Sequence, residues 1–151
     1  MKKFKFKLES VLSLREHKER LVMQEVGALT QELTRVQEGM AALEREKIEV
    51  EQSLADRMGK GISGAELQSI QGYIAGIAVR WQEENALCEK VLRYLEAKRG
   101  ELARCAVDRK AMETLRDRQR DEFLRVQGEE MRKQEEETAL VHRAATARNR
   151  K

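Results

Sequence analysis

The chain has 151 residues, of which 38% are charged and only 4% aromatic, with no proline and a formal charge of +3. That length suits one domain. No stretch approaches the roughly 20 apolar residues of a membrane span, and Met1 to Arg20 lacks the apolar core of a secretory signal, so a cytosolic protein is expected. A charge fraction this high would fit disorder, except that the apolar residues are ordered along the chain, which disordered sequences lack.

Residues 1–7 alternate lysine with Phe4 and Phe6, the pattern of an extended arm. A heptad follows. Leu8, Arg15, Val22, Leu29, Val36, Leu43 and Val50 form one seam set; Leu12, Glu19, Val26, Leu33, Met40, Lys47 and Leu54 form the other. Two interleaved, mostly apolar positions repeating every seven residues define a coiled-coil helix. Helix one is expected over about 6–58.

The stretch Gly59-Lys60-Gly61-Ile62-Ser63-Gly64 then interrupts the pattern. Gly59 or Gly61 provides a left-handed helix stop. Ser63 and Glu66 have the spacing of a capping box that opens a second helix. A turn over 59–64 follows, and helix two is expected over about 65–139.

Helix two carries Leu67, Ile74, Trp81, Cys88, Leu95, Leu102, Arg109, Arg116 and Phe123 on one seam set. The other holds Ile70, Ile77, Glu84, Val91, Lys98, Cys105, Met112, Gln119 and Val126. A 3.5-residue period this sustained implies a left-handed supercoil. So short a turn permits only an antiparallel return. Apolar layers form when Leu54 pairs with Ile70, Val50 with Ile74, Leu43 with Trp81, Val36 with Cys88, Leu29 with Leu95 and Val22 with Leu102. All these pairs are centred on Ile62, inside the glycine stretch. Heptad and turn thus agree independently. The expected fold is all-α, a long antiparallel two-helix coiled-coil hairpin with an overhanging C-terminal helix, forming a single domain over 1–151.

The same register puts Lys47 opposite Ile77, Met40 opposite Glu84, Val26 opposite Lys98, Glu19 opposite Cys105 and Arg15 opposite Arg109. The last is the least favourable layer. Beyond about residue 120, helix two is expected to outrun helix one, leaving Phe123, Leu124, Val126 and Met131 as an unpaired apolar stripe. Residues 140–151 read as a frayed basic tail. Cys88 and Cys105 lie 17 positions apart, roughly 25 Å along a helix, too far for a disulfide; they read as small core residues.

Residues 1–20 carry seven Lys or Arg against three Glu. Arg143, Arg148, Arg150 and Lys151 stand without an acid at the other end. Basic ends favour acidic proteins, nucleic acid or anionic lipid as partners. The chain has no phosphate-binding glycine loop: GKGISG lacks the spacing and the preceding strand. His17 and His142 are isolated, so neither a metal site nor any cofactor is expected. Nothing in the sequence assembles a catalytic constellation.

Three segments together resemble the FliJ family of flagellar export proteins. They are the opening Phe4-Lys5-Phe6-Lys7-Leu8-Glu9-Ser10-Val11-Leu12, the turn Met58-Gly59-Lys60-Gly61-Ile62 with Gln71-Gly72-Tyr73-Ile74, and the charged segments Glu113 to Gln119 and Glu135 to Ala139. The resemblance implies a non-enzymatic, cytosolic stalk of the type III export apparatus, similar to the central stalk of rotary ATPases. Its implied partners are the export ATPase ring, the membrane export gate and export chaperones, which would hold it peripherally at the inner membrane.

Candidates for the ATPase contact are Phe4, Lys5, Phe6, Lys7, Arg116, Arg118, Arg120, Phe123 and Val126. Candidates for the gate contact are Leu43, Val50, Tyr73 and Ile77, although Glu46 and Val50 depart from an aromatic-rich patch. Competing readings are the equivalent stalk of a virulence-type secretion system, and a nucleic-acid-associated coiled coil whose binding would depend steeply on salt.

Overall fold

The computed structural model describes residues 2–150; Met1 of the expected arm and Lys151 of the expected tail lie outside the described residues. The chain folds as two helices, α1 (Glu9–Lys60) and α2 (Gly64–Asn149), with no strand among the described residues. They pack against each other as an all-α hairpin. Contacts group the chain into two compact units. One holds Arg20–Arg104; the other combines the residues up to Glu19 with those from Cys105 onward.

In the Arg20–Arg104 unit the core is a single file. Val36 has no accessible surface, and Ile77 and Leu95 retain 1%. Val22, Cys88 and Val91 are also buried. All six occupy the expected seam positions. Full burial of an aliphatic side chain stabilises by about 1.5–3 kcal/mol, so a few such residues dominate the unit.

The reversal is local. Gly61 has a φ of 90° and donates its N–H to the Met58 carbonyl at 3.4 Å. A Cβ-bearing residue resists that conformation. Ser63 starts α2: its Oγ accepts from the Glu66 N–H at 3.2 Å, and its carbonyl accepts from the Leu67 N–H at 3.0 Å. Of the expected capping box, the serine half is formed. The Glu66 side chain stays exposed.

Seam charges find partners by reaching outward. Lys98, expected opposite Val26, places its Nζ 2.6 Å from Glu25 and 3.1 Å from Glu101. These carboxylates, Glu25 first, hold its ammonium above the ordinary lysine range. The stem stays in the seam while the head leaves it.

In the terminal unit, Phe6, Leu12, Cys105 and Met112 are buried. Helix α1 begins at Glu9 rather than at about residue 6. The Phe6 carbonyl accepts from the Glu9 N–H at 3.2 Å, and the Leu8 carbonyl from the Leu12 N–H at 3.0 Å. Leu8 thus stands at the cap without a side-chain oxygen. An apolar contact of Phe6 with Leu12 fixes the chain's entry instead, a relative of the hydrophobic staple.

The expected Arg15–Arg109 clash does not form. Arg109 bonds Glu19, and its Nη1 donates to Glu113 at 2.9 Å; Arg15 Nη1 donates to the Asp108 carbonyl at 2.9 Å. Long guanidinium side chains reach the neighbouring layer and convert repulsion into charge-assisted hydrogen bonds. Helix α2 also continues past Ala139 to Asn149. No glycine or proline follows Gly128, and Ala144, Ala145 and Ala147 have the highest helix propensity. From Glu130 to Arg150 every residue is exposed.

The turn yields a paired prediction. Gly61→Ala forces a side chain into the left-handed region and is expected to destabilise by about 1–2 kcal/mol. Gly59→Ala lies in the last turn of α1, with open space around its Cβ, and should stabilise by about 0.4–1 kcal/mol. Urea midpoints check both; equal shifts in the same direction would contradict a reversal placed at Gly61.

Candidate functional site

The terminal unit builds its surface from both ends of the chain. Along the arm, exposure alternates: Lys3, Lys5 and Lys7 face solvent, Phe4 is half-buried, and Phe6 is buried. Phe6 packs with Leu12 and Met112, and Phe4 and Val11 pack against the same cluster. The Phe4 ring lies 5.7 Å from the Phe123 ring at an interplanar angle of 49°. Gln127 Nε2 reaches the Lys2 carbonyl at 3.4 Å.

Two contacts carry the clamp. Burial of Phe6 stabilises it by about 1.5–3 kcal/mol, and the Phe4–Phe123 aromatic pair adds about 0.5–1.5 kcal/mol.

This arrangement corrects the expected unpaired stripe. Phe123 is not free: the Phe4 ring packs against it at a tilt. Leu124, Val126 and Met131 remain 55%, 39% and 45% exposed. Lys2, Phe123, Val126, Gln127 and Met131 line an open groove of about 550 Å³.

Of the basic candidates, Lys5, Lys7, Arg118 and Arg120 are exposed and Arg116 is half-buried. Arg116 and Arg120 each lie 3.6 Å from Asp117. Lys5, Lys7 and Arg118 form no ion pair among the described residues. Nearby, Arg125 is flanked by Glu122 at 2.5 Å and Glu129 at 2.7 Å, and its hydrogen bond lowers the Glu122 carboxyl below the usual range. Sequence reasoning missed Gln127 as an arm partner, because the arm is not helical and no heptad offset leads to it.

The candidates of the Arg20–Arg104 unit separate by exposure. Ile77 is 1% exposed, Leu43 and Val50 are half-buried, and Tyr73 is 48% exposed. Tyr73 donates its hydroxyl to Glu46, and Trp81 donates its indole N–H to Glu44 Oε1 at 3.0 Å. Two aromatic–carboxylate rungs thus join α1 to α2. Leu43, Glu44, Lys47, Ile77 and Trp81 line a shallow depression of about 310 Å³. Tyr73 is the candidate that a partner reaches without opening the seam. Glu46, which the sequence already sets apart from an aromatic-rich patch, and Glu44 give the patch an acidic edge.

Among the described residues, no group of His, Cys, Asp or Glu side chains is placed to hold a metal ion. No helix there is long and apolar enough to cross a membrane.

A paired-helix scaffold with exposed patches at its chain ends and near its turn is a coiled-coil interaction protein. The family model described as the flagellar FliJ protein matches residues 4–146, nearly the whole chain. The chain belongs to the FliJ family, whose members are non-catalytic components of the flagellar export apparatus. No curated protein and no solved structure matches it.

The clamp is testable by proteolysis. Phe6→Ala removes its main anchor, and trypsin should then cut after Lys5 and Lys7 roughly tenfold faster or more, because cleavage requires local release of the backbone. Helix content by circular dichroism should change little. Unaltered cleavage kinetics would mean that Phe6 does not hold the arm.

Proposed function

We propose that this FliJ-family chain is a coupling stalk: its terminal unit engages the export ATPase ring, and the region around Tyr73 contacts the membrane export gate. Export chaperones are further partners in this reading. The stalk works in the cytoplasm, held at the inner membrane through the apparatus, and performs no chemistry of its own. The observation that carries the proposal is the composite surface of the terminal unit. There Phe4 and Phe123 pair beside exposed Val126 and Met131, with unpaired Lys5, Lys7 and Arg118 around them. An apolar centre with a charged rim is the anatomy of a protein interface.

A binding rod can bias a ring's conformations only through contacts that differ between its states. The candidate contacts are Phe4, Lys5, Phe6, Lys7, Arg116, Arg118, Arg120, Phe123 and Val126 for the ring. For the gate, Tyr73 is the accessible member of its set, and Leu43 and Val50 form the half-buried flank.

Steady-state ATP hydrolysis tests the reading. The isolated chain should hydrolyse no ATP, and the purified export ATPase should turn over faster when the chain is added. Phe123→Ala with Val126→Ala should weaken ATPase binding roughly tenfold or more, as loss of central interface anchors does. Removing residues 1–7 together with those after Glu122 should abolish stimulation, whereas Tyr73→Ala should preserve it. Stimulation that survives the truncation, or disappears with Tyr73 alone, would move the coupling surface to the turn region.

A further inference from the structure

We infer that the arm is also a direct contact to an anionic phospholipid surface, displaying Lys2, Lys3, Lys5 and Lys7 to lipid headgroups. All four lysines are exposed, and none forms an ion pair among the described residues. No acidic residue precedes Glu9. The two phenylalanines between them point the other way, onto Leu12, Met112 and Phe123. The rings therefore fix the backbone while the ammonium groups stand outward. The ordering cost of the array is met before any partner arrives, which is the physical meaning of preorganisation.

The side-chain type narrows the partner. Arginine prevails along the neighbouring stretch of α2, at Arg116, Arg118, Arg120 and Arg125, three of them beside carboxylates. The arm uses only lysine. A guanidinium fork suits fixed carboxylates, whereas an ammonium is a rotatable point charge. Lys3, Lys5 and Lys7 alternate with the two inward rings, and Lys2 adds a fourth exposed charge at the rim of the groove it lines; such point charges on flexible stems match a plane of mobile anionic headgroups. Each lysine held near such a surface strengthens binding by about fivefold, and the effect fades within a Debye length of about 10 Å at 0.1 M salt. Lys2 and Lys3 lie outside the residues assigned to the ATPase contact, so the array is larger than that contact requires.

The proposal does not depend on the ATPase reading, and its test contains no ATPase. The full chain is mixed with vesicles of phosphatidylcholine alone, or with about one-third phosphatidylglycerol, and bound protein is measured by flotation at roughly 50 and 200 mM salt. Binding is expected to the phosphatidylglycerol vesicles, weaker at the higher salt, and none to phosphatidylcholine alone. Lys2→Gln with Lys3→Gln should reduce partitioning about tenfold or more, and replacing all four lysines with Gln should abolish it, with unchanged circular dichroism. Equal binding to both vesicle types, or full binding by the four-lysine variant, would overturn the proposal. So would no binding to phosphatidylglycerol vesicles at low salt, which would assign the lysines to an acidic protein surface instead.

Discussion

Two long, heavily charged helices stay paired because one narrow stripe on each is withdrawn from water. In the Arg20–Arg104 unit that stripe has Val36, Ile77 and Leu95 almost fully enclosed. Everything else on the surface depends on it, because the rungs from Glu44 to Trp81 and from Glu46 to Tyr73 span two helices only while the seam holds their registry. Exposed ion pairs contribute little on their own, about 0–1 kcal/mol each. They tune a pairing that the apolar layers have already made.

A narrow seam also explains how this fold tolerates charge within it. Glu19, Lys98 and Arg109 occupy seam positions that a wide globular core would exclude. Here each of these three finds an opposite charge at the seam's edge: Glu19 with Arg109, Arg109 also with Glu113, and Lys98 with Glu25 and Glu101. Arg109 bonds both Glu19 and Glu113, and these hydrogen bonds, Glu19 first, raise its pKa. Polar seam positions lower stability but limit the registers available. A slip of one heptad would carry Arg109 away from Glu19 and Lys98 away from Glu25, the partners they have on the other helix.

Much of the fold was legible in the sequence because heptad spacing and turn chemistry are both local signals. Leu12, Val22, Val36, Ile77, Cys88, Val91, Leu95, Cys105 and Met112 are buried where the seam sets place them. Gly61 is the left-handed residue among the glycines of the turn. The errors come from reach and from non-helical backbone. Arg15 opposite Arg109 reads as repulsion if side chains are taken to end in their own layer, yet both reach beyond it. The heptad says nothing about residues 2–8, so Phe4 against Phe123 and Gln127 against Lys2 had no pattern to reveal them. The apolar stripe near Phe123 was visible; its intramolecular cover was not.

The clamp links the N-terminal arm and the Met112–Gln127 stretch of α2 in one equilibrium. A partner that touches only α2 at Phe123 would compete with Phe4 for that ring and would favour the open arm. One that touches the closed arm and α2 together would favour closure, stabilising it by the free energy of its preferential binding. Linkage then requires the reverse: whatever closes the arm strengthens that partner's binding by the same factor. The closed arm rests on two rings and one hydrogen bond, so few contacts have to be traded for it to open. The surface is thus adjustable because its core is thin. The charge density and slender seam that limit stability also leave the arm and its contact stretch on α2 where an outside contact can decide their arrangement.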